Sequence, residues 1–167
     1  DSKTAEIRST RRRYIIVKES LYMPDKQKNT LLQDFKAFYQ EANSSNIERM
    51  DRLYTQDVEF RDPLHTILGI LALKSYVKNL YASSDGIQFE YTDEQRGENS
   101  ATITWHMKFS NSALAGGKMI TLRGITQIRF TDRIYYQEDF YDLGAMLYQH
   151  IPVLGTIIRF VNSRVRP

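Results

Sequence analysis

Apolar residues recur at helical spacing from Leu31 onward: Leu31, Leu32, Phe35, Phe38, Tyr39 and Ala42 fall on one side of a predicted helix. Thr30 stands as its N-cap, and Asn43-Ser44-Ser45 marks its end. Asn46 is placed to cap a second helix carrying Ile47, Met50, Leu53 and Tyr54, followed by a short strand around Val58 to Arg61 that Asp62-Pro63 closes. The residue before a proline is pushed out of helical geometry, so Asp62 sits at a fixed corner. After the break at Gly69, Leu71 to Tyr81 reads as a third helix.

Beyond Asp85-Gly86 the period falls to two. Ile87, Phe89 and Tyr91 form one alternating run and Ile103, Trp105, Met107 and Phe109 the next. A long run opens after Gly116-Gly117 and ends at Phe130, Thr131-Asp132-Arg133 makes a tight turn, and Ile134 to Tyr141 returns. These runs predict a meander of antiparallel strands. Leu143 to Val165 then reads as a helical stretch broken at Pro152. Helices first, strands next and a terminal helix last is an α+β order: a curved, cone-shaped antiparallel sheet wrapped around N-terminal helices, with its hollow lined by inward aromatics.

Composition narrows the function classes. The 167 residues suit one domain, and 11 Tyr and 8 Phe are enough to line a cavity. Residues 1–30 hold eight Lys or Arg against four acids, while the whole chain is +3, so the remainder carries −1. We therefore divide the chain into a basic, partly flexible arm (1–30), a cone domain (31–143) and a helical extension (144–167). Basicity confined to the arm argues against nucleic acid as partner, since that role needs a basic face on the fold itself. There is no cysteine, hence no disulfide, thiol nucleophile or thiolate metal site. The apolar run Tyr14 to Val17 is too short for the core of a secretory signal, and no stretch approaches the roughly 18 apolar residues that span a bilayer. A cytoplasmic protein is expected.

Two acidic segments stand beside aromatics: LYTQDVEFRDPLHTILG from Leu53 and QEDFYD from Gln137. The order of LYTQDVEFRDP, Gly69 with its helix, GITQIRF and EDFYD resembles the nuclear-transport-factor-2-like superfamily. Within it the chain is most similar to the SnoaL-like group, which includes polyketide cyclases, ketosteroid isomerase and limonene epoxide hydrolase. The similarity spans roughly residues 31–143 and implies the cone fold, a homodimer and a small-molecule pocket. By this resemblance Asp62 matches the aspartate general base of the isomerase. Phe38 and Thr126 stand where that enzyme has its oxyanion-hole Tyr and protonated Asp, which argues against steroid isomerisation. Asp139 matches the water-activating aspartate of the epoxide hydrolase, but Ala101 to Phe109 lacks the acid and Arg that enzyme needs.

Asp62 and Asp139 are thus the candidate catalytic residues, each with a plainer reading as a turn-making or strand carboxylate. Gln137, Asp139 and Tyr141 share one strand face, which the resemblance places inward. His65 is a candidate second proton carrier or an ordinary rim histidine. Tyr54, Phe60, Tyr76, Trp105, Met107, Leu122 and Tyr141 are candidate walls, and equally candidate core. Arg123 and His106 are expected on the outer face. No P-loop is present, since Gly116-Gly117-Lys118 has Ser112 where the first glycine belongs, and the three His residues form no local metal motif. No metal or cofactor is implied. The terminal stretch is expected to pack on the cone mouth or a second subunit rather than on lipid. The leading expectation is a protein that binds a small, mostly apolar organic molecule and performs cofactor-free acid–base chemistry on it. The alternative is a non-catalytic dimerisation or interaction module of the same fold.

Overall fold

The computed structural model describes residues 23–43, 45–112, 115–146 and 163–164. The apolar run Tyr14 to Val17, His150 and most of the terminal helical stretch lie outside them.

Helix α1 spans Asp25–Glu41, and its buried stripe of Leu31, Leu32, Phe35, Phe38 and Tyr39 is the one the periodicity marks out. Its start is six residues earlier than expected, with Pro24 in the cap position instead of Thr30. Thr30 is no cap: its hydroxyl donates back to the Lys26 carbonyl, while the Pro24 carbonyl accepts the first turn's N–H groups from Gln27 and Lys28. The polar run Lys26 to Asn29 hides this turn from an apolar-period reading, and the proposed boundary at residue 30 therefore cuts through a helix.

Asn46 also serves a different end. Its side chain accepts from the Asn43 N–H and donates to the Glu41 carbonyl, so it closes α1 instead of opening the next helix. A 3₁₀ turn, Ile47–Arg49, runs into α2, Met50–Leu53. Tyr54 is already strand: β1 spans Tyr54–Arg61, four residues longer at its start than the sequence suggests. Strand β2, Thr66–Leu68, pairs antiparallel with it. Gly69, at φ 84°, turns the chain into α3, Ile70–Ser83, which buries Ile70, Leu73 and Val77.

Strands β3 (Asp85–Arg96), β4 (Ser100–Ser110), β5 (Ile120–Phe130) and β6 (Ile134–Tyr141) form the predicted antiparallel meander. The sheet order is β2-β1-β6-β5-β4-β3. One pair departs from the all-antiparallel expectation, because β1 lies parallel to β6. Strand β2 and helix α3 between β1 and β3 carry the chain across the sheet, so β1 meets the last strand, a pairing no local pattern encodes. Register shifts interrupt the β1/β6, β3/β4 and β5/β6 ladders. Such irregularities bend strands and increase their twist, which curves the sheet around α1 and α3. Strict alternation of buried and exposed residues on β5 separates a concave inner face from an outer one. Arg123 is on the outer face, as expected.

Two buried clusters result. The larger joins α1, α2 and α3 to Val58, Phe60, Ile103, Ile128 and Ile134; the smaller holds Trp105, Met107, Phe109, Ile120 and Leu122. Burying each large side chain contributes about 1.5–3 kcal/mol. Phe89 and Tyr91 border both clusters, and between them the cone stays open. After β6 the chain turns into the short helix α4, Leu143–Met146. No helix among the described residues is long and apolar enough to cross a membrane.

Candidate functional site

A cavity of about 390 Å³ occupies the hollow of the cone. Its walls include Asp62, His65, Phe60 and Tyr76 from the β1–α3 region, Trp105 and Met107 from β4, Thr126 from β5, and Gln137, Asp139 and Tyr141 from β6. The two acids singled out in the sequence, 77 residues apart, thus face one space. Tyr54 is not a wall residue. It is wholly buried, one layer behind Gln137. Leu122 likewise belongs to the smaller core cluster.

The two carboxylates have opposite surroundings. Asp62 Oδ1 accepts the N–H groups of Leu64 and His65, each at 2.7 Å, and Oδ2 accepts the Tyr76 hydroxyl at 2.6 Å. The His65 ring nitrogen Nδ1 lies 3.0 Å from Oδ1. The turn-making reading of Asp-Pro is therefore realised in full, with the Asp62 side chain only 1 % exposed. Burial alone would raise its pKa, but the hydrogen bonds from Tyr76, Leu64 and His65 outweigh burial and hold it below the ordinary value. Asp62 is an ionised carboxylate whose lone pairs are largely engaged.

Asp139 is half-buried, opens into the cavity, and accepts only neutral donors. The Thr126 hydroxyl donates to Oδ1 at 2.7 Å, and Gln137 Nε2 reaches Oδ1 and Oδ2 at 3.1 and 3.3 Å. Burial pushes its pKa up to about 6; the two donors pull down, and the charges of Asp62 and Glu138 add to the rise. A carboxyl poised there exchanges its proton near neutral pH, as a general base requires.

Each donor is itself held. Trp105 Nε1 donates to the Thr126 hydroxyl at 2.9 Å, so the single hydroxyl proton of Thr126 is left for Asp139. Gln137 Oε1 accepts the Tyr54 hydroxyl at 2.5 Å, and the Tyr39 hydroxyl sits 2.8 Å from that of Tyr54. Burial raises both phenols far above their ordinary range, so they remain neutral donors. With hydroxyls on its oxygen side, the Gln137 amide has one sensible orientation: Nε2 toward Asp139. Thr126→Val is expected to raise the Asp139 midpoint further and to leave the Trp105 N–H without a partner, at a cost of about 1–3 kcal/mol. A ¹³C-carboxyl NMR titration reads the first effect and chemical denaturation the second; an unmoved midpoint would contradict the Thr126–Asp139 bond.

Tyr39, Thr126, Phe35, Phe89 and Tyr91 are functional-face residues that the sequence reading did not select. Thr126 was legible in principle, since it shares inward parity with Leu122 and Gly124 on β5. Tyr39 was masked by its neighbour: Phe38 goes into the core, and the hydroxyl that reaches the Gln137 network comes from the next residue along. Among the described residues no group of three His, Cys, Asp or Glu could hold a metal ion.

The family model of the SnoaL-like domain matches residues 35–136, a span that holds the walls from α1 through β5 and ends just before Gln137, Asp139 and Tyr141. The chain belongs to the SnoaL-like family. Among solved structures, this SnoaL-like protein is similar to a ketosteroid-isomerase-like-fold protein from Catenulispora acidiphila crystallised with trimethylamine. That match has 16% identity and a TM-score of 0.63, covering 72% of this chain and 91% of the other. A SnoaL-like polyketide-cyclase candidate from Jannaschia matches at 12% identity and TM-score 0.62, over 71% and 89% of the two chains. TerC, co-crystallised with polyporic acid, matches at 16% and 0.62, over 72% and 95%. At these identities the likeness is one of fold. No curated protein matches the sequence.

Proposed function

We propose that this SnoaL-like protein binds a small, mostly apolar organic molecule in the cone cavity and transfers a proton on it without a cofactor, with Asp139 as the acid–base group. The observation that carries the proposal is a carboxyl with a pKa of about 6 on the wall of a 390 Å³, aromatic-rich cavity. An apolar cavity with a few convergent polar groups is the usual form of a small-molecule site. Asp62 takes a different part from that implied by the isomerase resemblance. Bound by four donors, it is a fixed charge that orients His65 and Tyr76, while Asp139 keeps the available lone pairs. Relatives of the same fold crystallised with trimethylamine and with polyporic acid support the cone as a ligand site.

The test has two readouts. A thermal-shift screen of aromatic ketones, epoxides and other apolar compounds is expected to stabilise the wild-type protein. In D₂O, the enzyme is expected to catalyse deuterium incorporation next to the carbonyl of a stabilising ketone, and Asp139→Asn to reduce this to the buffer rate. A protein that no compound stabilises would favour the non-catalytic module. Exchange that persists in Asp139→Asn would remove Asp139 from the chemistry.

A homodimer through the outer sheet face belongs to the same proposal. Ile125 and Phe140 lie opposite each other on that face and are 37% and 45% exposed. Exposed apolar neighbours on a sheet favour a covering surface.

A further inference from the structure

The cavity's charges are unbalanced in a way that bears on the class of ligand. Both Asp62 and Asp139 face it, and no Lys or Arg is among its described lining residues. The one basic side chain, His65, is already committed to Asp62. Asp139 is held only by the neutral groups of Thr126 and Gln137. Buried carboxylates ordinarily find a cation, and the described residues supply none on the cavity side.

The remaining walls are largely aromatic. Phe89 stacks on Tyr91 with centroids 6.0 Å apart and planes 9° from parallel, and Trp105 meets Phe89 edge-on at 5.5 Å. The indole is tied through Thr126 to Asp139, so the ring cluster and the carboxylate are parts of one wall. Aromatic faces attract cations through their quadrupoles, and the attraction grows when water is excluded.

We infer that the cavity selects its ligand by charge, taking a small apolar cation such as an aryl or alkyl ammonium and rejecting carboxylates and phosphates. The inference rests on the reading of the cone as a small-molecule site and names the class that site takes. A neutral ligand filling the cavity strips water from Asp139 and leaves its charge unpaired. An anion adds repulsion from two carboxylates. A cation supplies the missing partner and places its apolar groups against the rings.

The experiment compares three probes by titration calorimetry on the full chain at pH 7.5: phenyltrimethylammonium, its neutral isostere tert-butylbenzene, and benzoate. The ammonium is expected to bind about tenfold more tightly than tert-butylbenzene, the factor that a single desolvated cation–aromatic or ion-pair contact supplies. Benzoate is expected to be the weakest of the three. In Asp139→Asn the advantage of the ammonium over tert-butylbenzene should largely disappear while tert-butylbenzene binds at least as well as before. If tert-butylbenzene binds the wild type as tightly as the ammonium, or if Asp139→Asn keeps the full preference, charge selection is overturned and the ligand site stands. If none of the three binds the wild type, the small-molecule site itself is overturned as well.

Discussion

Asp139→Asn is expected to make the protein more stable than wild type at pH 8 and no more stable at pH 4. The sign follows from the direction of the shift. Asp139 has an ordinary value of 3.8 when unfolded and about 6 when folded, so between these values the folded state retains a proton that the unfolded chain has lost. Its contribution to stability is therefore complete below the unfolded value and is lost as pH rises through the folded one. Above that point the wild type bears the cost of a carboxylate in poor surroundings. Asparagine keeps the shape and still accepts from Thr126, but carries no charge. A dry site would make the difference about 3 kcal/mol at 1.4 kcal/mol per pKa unit. Solvent reaching Asp139 from the cavity reduces this to about 1–2 kcal/mol, or roughly 2–8 °C in Tm for a chain of this size. Thermal melts of both proteins from pH 4 to 8 check it. A variant less stable than wild type at pH 8 would show that the Asp139 charge is well accommodated, which would also weaken its assignment as a base. Gain of stability together with loss of function is the pattern of a group kept for chemistry.

Gly124→Ala is expected to disturb the site from a position with no chemistry of its own. Gly124 sits directly opposite Trp105 in the β4/β5 ladder. A Cβ there would fall 2.2 Å from Trp105 Cη2 and 2.3 Å from Cζ2. The indole therefore lies across bare backbone, from where Nε1 reaches Thr126, two residues further along β5. Alanine must displace the ring, and overpacking plus the lost hydrogen bond should cost about 2–4 kcal/mol. Trp105 is the single tryptophan, so its fluorescence reports the displacement directly. The expected result is a red-shifted emission maximum, a lower Tm and weaker ligand stabilisation, with partial recovery of Tm when Trp105→Phe relieves the clash. A wild-type spectrum and Tm in Gly124→Ala would mean that the indole does not cover that strand.

The two variants show how differently the site's parts can be read from sequence. Asp139 was legible because QEDFYD is short, alternating and unambiguous in parity: once one residue is inward, Gln137, Asp139 and Tyr141 all are. Asp62 was legible as a corner, since Asp-Pro restricts the backbone locally, but its electrostatic state was not. That depends on Tyr76, a helix residue 14 positions away, donating to Oδ2. Tyr54 was read as a wall because it is aromatic and near the acids; the extra length of β1 places it beneath the wall, where its hydroxyl fixes the Gln137 amide. Thr30 and Asn46 were given caps by residue type, and both side chains found nearer carbonyl partners.

What the sequence determined by itself was local in origin. A 3.6-residue period set the buried stripe of α1, a two-residue period set the inner faces of β4, β5 and β6, and turn chemistry set the breaks at Asp62-Pro63 and Gly69. These features follow from the geometry of each segment alone, which is why the α+β order and the shared face of Gln137, Asp139 and Tyr141 could be read without coordinates, while the family resemblance placed that face inward. Tertiary structure decided the rest: the parallel pairing of β1 with β6, the ladder irregularities that bend the sheet, and the meeting of Trp105, Thr126, Gln137 and Asp139. A carboxyl's proton affinity is set by burial and by neighbours within a few ångströms, and for Asp139 and Asp62 those neighbours come from β5, β6, the turn after β1 and α3, far apart in the chain. Periodicity therefore carries which way a side chain faces, and only packing carries what it meets there.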